Sequence, residues 1–244
     1  MKISLITISF NSASTILNTL KSVKNQDFKD FEHFLIDSDS KDETLKIAKK
    51  FSDMTNIFSE PDNGIYHAFN KGIKKSTGEI IGFLNSDDTF FDSTSLNIIS
   101  ESFDDNTDCI FGDLIYTNRN EKIKRIWKSA EFQPGVFKKG WMPAHPTFYC
   151  RRSIYEKLGM YDEDYKIAGD YELMLRFLEK NRIRSKYVNH TLVNMKVGGI
   201  SNKTIKSKID ILKEEFRAFK KNKIELNKTL YFYHKLKKIK EFKI

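Results

Sequence analysis

The chain has 244 residues, enough for one α/β domain with an appended segment and for a sizeable core. Hydrophobic residues make up 39% and charged residues 31%, and no run of about 18 apolar residues occurs, so no membrane span is expected. The formal charge is +9, but residues 202–244 hold fourteen Lys/Arg against five Asp/Glu and carry all of that excess, which argues against a nucleic-acid groove in the main body.

The opening KISLITISF is an apolar, β-rich run ended by Asn11 and Ser12, and predicts a first strand. With no small-residue cleavage site behind it, it does not read as a leader, and a cytoplasmic protein is expected. Ile16, Leu17, Leu20 and Val23 have helical spacing after a Ser/Thr-rich start. FEHFLIDSDS predicts a second strand and DETLKIAKKFSDM a second helix. NIFSEPDNGIYHAFNKGIKKSTG holds a short strand, a loop with Pro61 and Gly64, and a helix closing near Gly78. EIIGFLNSDDTFF predicts the next strand, STSLNIISESFDD a helix and DCIFGDLIYT a strand.

Residues 121–150 hold both tryptophans and three of the four prolines, and predict a long loop or lid. SIYEKLGMYDEDY predicts a short helix ending at Gly159, and AGDYELMLRFLEKN a further helix. Cys109 and Cys150 have no metal-ligand spacing and cannot build a disulfide framework.

Strands alternating with helices imply βαβ units and a mostly parallel sheet, with ligands bound beyond the carboxyl ends of the strands. Three successive strands end there in polar clusters: Ser9-Phe10-Asn11, Asp37-Ser38-Asp39-Ser40 and Asn85-Ser86-Asp87-Asp88. Exposed strand ends are often polar for solvation alone. Three clusters at one edge, two of them rich in Asp, point instead to a binding edge.

Five segments, in order, resemble the family 2 glycosyltransferases: SLITISFN, FLIDSDSKDET, SEPDNGIYHAFNKGIKKSTGEIIGFLNSDD, GDLIY, and HPTFYCRRSIYEKLGMYDEDYKIAGDYELMLR. The match spans roughly residues 3 to 200. It implies a GT-A fold, with a Rossmann-like nucleotide-binding half, over 1–201. It also implies inverting transfer of a sugar from a nucleotide-sugar, with UDP favoured, to a hydroxyl of a glycan or lipid-linked acceptor in surface polysaccharide biosynthesis.

The resemblance makes SDD a variant of the family's Asp-X-Asp motif. Asp88 is then the ligand of Mn²⁺ or Mg²⁺, and Asp87 orients ribose or sugar hydroxyls. Both also fit an exposed turn or a cap for the next helix. Ser9 and Asn11 border the nucleotide. The base contact falls among Asp37, Ser38 and Asp39, because Ser38 stands where some members carry a second acid. Asp39 and Ser40 fit equally well as caps for the helix at 42 to 53. Asp62 borders the nucleotide, with Asn70 and Lys71 on the next helix; Lys71 meets phosphate or base, or is simply a solvated helix lysine.

Inverting transfer needs one base to take the acceptor proton. By resemblance that base is Asp170, where Gly169 permits a close approach; Glu172 is the fallback, and an N-cap role for Asp170 is compatible with both. His145 faces the sugar or acceptor site, or is a loop histidine bonded to backbone. Trp141 stacks on a sugar face or packs internally. Gly198 and Gly199, before Ser201, suggest a loop that closes over the donor.

The tail, 202–244, mixes Lys with Ile, Leu, Phe and Tyr at helical spacing. It reads as a basic amphipathic segment: packing on the main domain is expected for 202 to 225, and contact with an anionic membrane, at the inner face of the plasma membrane, for 228 to 244. Two alternatives compete with transfer of a sugar. A nucleotidyltransferase would need a Gly-rich basic phosphate loop, and SFNSAS has neither Gly nor a basic residue. A non-catalytic nucleotide-sugar binder would have no need of the acidic set.

Overall fold

The computed structural model describes residues 1–118, 120–197 and 205–241. The opening apolar run forms β1 (Ile3–Ser9), which is buried at every position but one. After it come α1 (Ile16–Lys24), β2 (Phe31–Asp37), α2 (Thr44–Ala48), β3 (Thr55–Ser59), α3 (Ile65–Lys75) and β4 (Ile80–Phe83). β3, β2, β1 and β4 lie side by side, all parallel. A strand flanked on both sides in such a sheet is covered on both faces, which is why β1 and β4 are buried almost throughout. α1 buries Ile16, Leu20 and Val23, whereas Leu17 is exposed.

The run expected as one strand over 79–91 is two. β4 stops at Phe83, a turn follows in which the Asp88 N–H donates to the Asn85 carbonyl (3.0 Å), and β5 (Thr89–Phe90) starts behind it. Two charged side chains and a turn bond are incompatible with continuing a buried strand. Next come α4 (Ser95–Glu101) and β6 (Cys109–Thr117).

The 121–150 region is more regular than its composition implies. It holds β7 (Ile123–Trp127), paired antiparallel to β6, two 3₁₀ turns at Val136–Lys139 and His145–Thr147, and the start of β8 (Tyr149–Arg151). β8 runs antiparallel between β4 and β6 and joins the two halves of the sheet. Gly82 of β4 makes that junction possible: a Cβ there would lie 1.9 Å from the Tyr149 ring. Cys109 and Cys150 are register partners across β6 and β8, and both are buried free thiols.

α5 (Arg152–Leu158) closes at Gly159, whose φ of 88° suits glycine. α6 (Gly169–Met174) continues into a π-helical turn, Leu175–Lys180. β9 (Ser185–Lys196), for which the sequence offers little apolar periodicity, inserts between β6 (parallel) and β5 (antiparallel). The sheet order is β3-β2-β1-β4-β8-β6-β9-β5, with β7 beside β6.

The basic tail folds as α7 (Ile205–Lys221) and α8 (Lys228–Glu241), and both helices pack on the main body. Ala218 and Phe219 of α7 and Tyr231 of α8 are fully or almost fully buried in the main core cluster. The Tyr231 hydroxyl bonds Glu215 (2.9 Å) and the Tyr171 hydroxyl (3.1 Å). Leu230, Phe232 and Tyr233 stay exposed. No helix among the described residues is long and apolar enough to cross a membrane.

Candidate active site

The carboxyl ends of β1, β2 and β3 meet at one buried carboxylate. Asp37 pairs in register with Ser9 on one side and Ser59 on the other. Its Oδ1 accepts from the hydroxyls of Ser9 (2.7 Å) and Ser40 (2.5 Å), and its Oδ2 from the Ser40 N–H (2.9 Å) and the Ser59 hydroxyl (2.8 Å). With 1% exposure and four donors, Asp37 ties the strand ends together and presents no free oxygen to the cleft. At this edge Phe10 and Asn11 are exposed, and Ser38 and Asp39 are half-buried.

Phe10 is 62% exposed, an unusual position for a phenyl ring directly behind a buried strand. Asn11 and Asp39, in the two neighbouring loops, both adopt left-handed backbone (φ 47° and 58°), which Asn and Asp tolerate better than most residues. The two loops are cross-linked: the Asn11 N–H donates to Ser40 Oγ and the Lys41 N–H to Asn11 Oδ1, both at 2.9 Å.

Asp62 extends this edge. It accepts from the Ser38 hydroxyl and from the Gly64 N–H (2.9 Å), so it links the β2 loop to the start of α3. Lys71 turns back onto the same loop, donating to the Pro61 carbonyl (2.9 Å) and pairing with Glu60 (3.0 Å). It braces the loop and does not extend freely into the cleft.

Asp87 and Asp88 occupy the turn between β4 and β5, and the Ser12 and Ser86 hydroxyls (2.8 Å) bind this turn to the β1 loop. Asp88 has no solvent exposure. Among the described residues its Oδ1 has no hydrogen-bond partner, and its Oδ2 has a long contact, 3.5 Å, with Asn85 Nδ2. Burial first, and the charge of Asp87 second, push its carboxyl well above the ordinary range, partly offset by Asn85 and the Lys196 peptide N–H. Burial raises Asp87 as well.

An unsatisfied buried carboxylate oxygen beside a second acid is costly unless something positive meets it. The pair therefore fits a hard divalent cation. Among the described residues no group of three or more His, Cys, Asp or Glu side chains converges. Such an ion would need oxygens from elsewhere, which suits Mg²⁺ or Mn²⁺ held by one or two carboxylates and phosphate.

A second group of residues surrounds Asp170 at the start of α6. Gly169 is required there: a Cβ would come 2.7 Å from the Tyr66 ring, and the Gly169 N–H donates to the Tyr66 hydroxyl (2.7 Å). Tyr66 is pushed strongly up by burial and further by the charge of Asp170. His145 shares a hydrogen bond with the Tyr161 hydroxyl (3.0 Å) and lies against the rings of Phe69, Phe83 and Tyr161. Burial lowers the His145 pKa and keeps the ring neutral near pH 7, while the charge of Asp170 opposes that shift. Asn70 of α3 fixes the same region through the Tyr161 N–H (3.0 Å), the Tyr161 carbonyl (2.9 Å) and Glu163 (2.8 Å). A pocket of about 500 Å³ opens beside this group, lined by Gly64, Tyr66, His67, Glu163 and Lys166 among others.

Two further sequence candidates are engaged by other parts of the chain. Glu172 is fully buried; it pairs with Arg176 (3.1 Å) and accepts from Asn222, just past the end of α7 (3.0 Å). Trp141 packs edge-on against Phe111 and Phe137 and beside Phe132. Gly198, Gly199 and Ser201 lie outside the described residues. The sequence carries no sign of the parts played by Tyr66 and Tyr161, whose partners lie 103 and 16 residues away in the chain, or of the exposed ring of Phe10.

A family model described as "Glycosyl transferase family 2" matches residues 4–168, well over half of the chain. The chain belongs to glycosyl transferase family 2. As a member, it is a glycosyltransferase.

A PGL/p-HBAD biosynthesis glycosyltransferase of Mycobacterium bovis is 27% identical over 207 residues, 82% of this chain and 78% of that protein. An uncharacterized glycosyltransferase of Mycobacterium tuberculosis is 31% identical over 179 residues, 71% of this chain and 68% of that protein. Among solved structures, S. aureus TarS 1–349 in complex with UDP-GlcNAc superposes with a TM-score of 0.69 at 18% identity, covering 94% of this chain and 69% of that one. The mannosyltransferase PcManGT of Pyrobaculum calidifontis, in complex with GDP-Man and Mn²⁺, gives 0.65 at 17% identity, covering 90% and 63%. These likenesses establish the GT-A fold for the family 2 member described here.

The environment of Asp88 sets a stability test. Its folded-state pKa lies above its unfolded one, so its contribution is intact at low pH and is lost as the pH rises above the ordinary 3.8 and through the folded value. In chelator at pH 7.5, Asp88→Asn should therefore melt higher than wild type, by an amount worth about 1–3 kcal/mol, and its melting point should depend less on pH. A melting point below that of wild type under those conditions would show that the buried charge is already compensated.

Proposed function

We propose that this protein is a metal-dependent inverting glycosyltransferase. It moves a sugar from a nucleotide-sugar, with UDP preferred, to a hydroxyl of a glycan or lipid-linked acceptor in surface polysaccharide biosynthesis. The observation that carries the reading is the buried Asp88, with one oxygen unmet and Asp87 beside it, in a turn bonded to the loops at the carboxyl edge of the parallel strands. Asp88, assisted by Asp87, would hold Mn²⁺ or Mg²⁺, which when bound neutralises the donor diphosphate.

The other roles belong to the chain itself. The Phe10 ring and the Ser38 and Asp39 side chains offer a face and polar groups to the nucleoside. Asn11 and Asp62 hold those loops in shape through their own hydrogen bonds. Asp170 acts as the base: its carboxylate takes the proton of the acceptor hydroxyl as that oxygen attacks the anomeric carbon. The bond from that carbon to the diphosphate oxygen breaks on the opposite face, so the configuration inverts. His145, bonded to Tyr161, lies within the field of Asp170.

Donor turnover tests this reading. Release of nucleoside diphosphate from UDP-glucose, UDP-galactose, UDP-GlcNAc and GDP-mannose is measured with Mn²⁺, and proton NMR reads the first anomer formed. The account expects the anomer opposite to that of the donor. It also expects Asp170→Asn to lower kcat by about 10²–10⁴-fold while donor binding is kept. A retained configuration, or wild-type turnover by Asp170→Asn, would contradict it.

The tail supports a peripheral membrane role. Tyr231 and Lys235 turn inward to Glu215, which leaves Leu230, Phe232 and Tyr233 exposed on α8, in a segment whose sequence is rich in lysine. Such a face suits the anionic inner leaflet. Co-sedimentation with phosphatidylglycerol vesicles should be strong at low salt and weak with phosphatidylcholine. Equal partition to both lipids would argue against an electrostatic contact.

A further inference from the structure

Asp170 follows four consecutive backbone N–H groups, and every one of them is bonded by a side chain from a distant part of the chain. The N–H groups of Lys166 (3.0 Å), Ile167 (3.0 Å) and Ala168 (2.7 Å) all donate to the carboxylate of Glu214 on α7. The fourth, of Gly169, donates to the Tyr66 hydroxyl on α3 (2.7 Å). Ala168 is the N-cap of α6 and has no side chain with which to cap it. The first amides of a helix have no intrahelical acceptor, and an anion is favoured beside them. Glu214 meets that need at the N-cap Ala168, from a helix 46 residues further along the chain, and also gathers the two amides before it, while Tyr66 meets Gly169.

Glu214 does not act alone on this segment. One turn further along α7, Arg217 pairs with Asp164 (3.2 Å) and lies 4.7 Å from the centre of the Tyr165 ring. Lys221 pairs with Asp162 (2.6 Å), and Asn222 donates to the buried Glu172 on the core side of α6 (3.0 Å). One face of α7 thus holds the whole approach to Asp170, from residue 162 to residue 168, and also the helix that follows.

We propose that Glu214 is a positioning residue: by gathering the amides of 166–168 it fixes the start of α6 and so the placement of the Asp170 carboxylate against the acceptor hydroxyl. This rests on the reading of Asp170 as the base. It gives the C-terminal helices a part in transfer that is separate from any membrane contact. Glu214 touches neither donor nor acceptor; it acts through the backbone two to four residues before the reacting group. A misplacement of about 1 Å at a reacting group costs about 100-fold in rate, so loosening this clamp should reach kcat before it reaches donor binding.

The test uses the full chain with Glu214→Ala, Glu214→Gln and, as a control on the solvent side of the same helix, Lys213→Ala. Hydrogen exchange reads the amides of 166–169 directly. Release of nucleoside diphosphate from the four nucleotide-sugars named above reads turnover. The expected result for Glu214→Ala is exchange at 166–168 faster by about 10-fold or more, and kcat lower by about 10- to 100-fold, with donor KM and melting temperature little changed. Glu214→Gln, which keeps one acceptor oxygen, should fall between Ala and wild type, and Lys213→Ala should match wild type.

Unchanged exchange at 166–168 would overturn the clamp. Faster exchange with undiminished kcat, or a rise in KM alone, would overturn the positioning role. Asp170→Asn is measured in parallel. If that variant turns over at the wild-type rate, the base assignment fails on its own, while the exchange data still decide whether Glu214 holds the loop.

Discussion

Everything at the carboxyl edge of this sheet depends on where the charge of Asp37 goes. A carboxylate buried at the end of a parallel strand is unfavourable unless its oxygens are met, and here four donors from three neighbouring segments meet them. Because those donors come from the ends of β1 and β3 and from the loop after β2, the same bonds set the relative heights of three strand ends. The Asn11, Ser38 and Asp62 contacts are then built on a fixed edge. Removing the Asp37 charge would leave three serines without their common acceptor, and the cleft floor would lose its shape before any ligand contact was lost.

On the proposed reading, the site divides from that edge into a donor half and an acceptor half with different supports. The donor half hangs on strand ends and on the turn that carries Asp87 and Asp88. The acceptor half hangs on helices: Tyr66 and Asn70 of α3 reach across to residues 161–169, and Glu214, Arg217 and Lys221 of α7 hold the same segment from the other side. α3 serves both halves, since Lys71, one residue beyond Asn70, braces the Pro61 loop on the donor side. Movement of α3 would be felt by nucleotide and acceptor together, whereas movement of α7 would be felt by the acceptor half alone.

Much of this was legible in the sequence, and the parts that were not share physical reasons. The parallel strands showed because fully buried strands are runs of Ile, Leu and Phe, and the polar clusters showed where those runs stop. Gly169 before Asp170 was readable as a close approach, and the neighbour turned out to be Tyr66. β9 was hidden because it is half-buried and mixes Lys, Asn, His and Thr with only Leu192 and Val193 fully in the core. The fates of Glu172 and Trp141 were hidden because local sequence says nothing of Arg176, Asn222 or Phe137 as partners. The four donors around Asp37 were hidden because an acid at a strand end reads the same whether it faces out or in. Glu214 carried no signal at all: an acidic residue in a lysine-rich helix is ordinary until the fold lays it against three bare amides.

The central claim is that Asp88 makes this edge a cation-dependent diphosphate site. Calorimetric titration of UDP and GDP into wild type and Asp88→Asn, each with Mn²⁺ and with chelator, tests it most directly. The account predicts that one nucleotide binds wild type tightly only with Mn²⁺, and that Asp88→Asn loses the metal-dependent part, at least about 10-fold in affinity or about 1.4 kcal/mol. Metal-independent binding of equal strength to both proteins would contradict it.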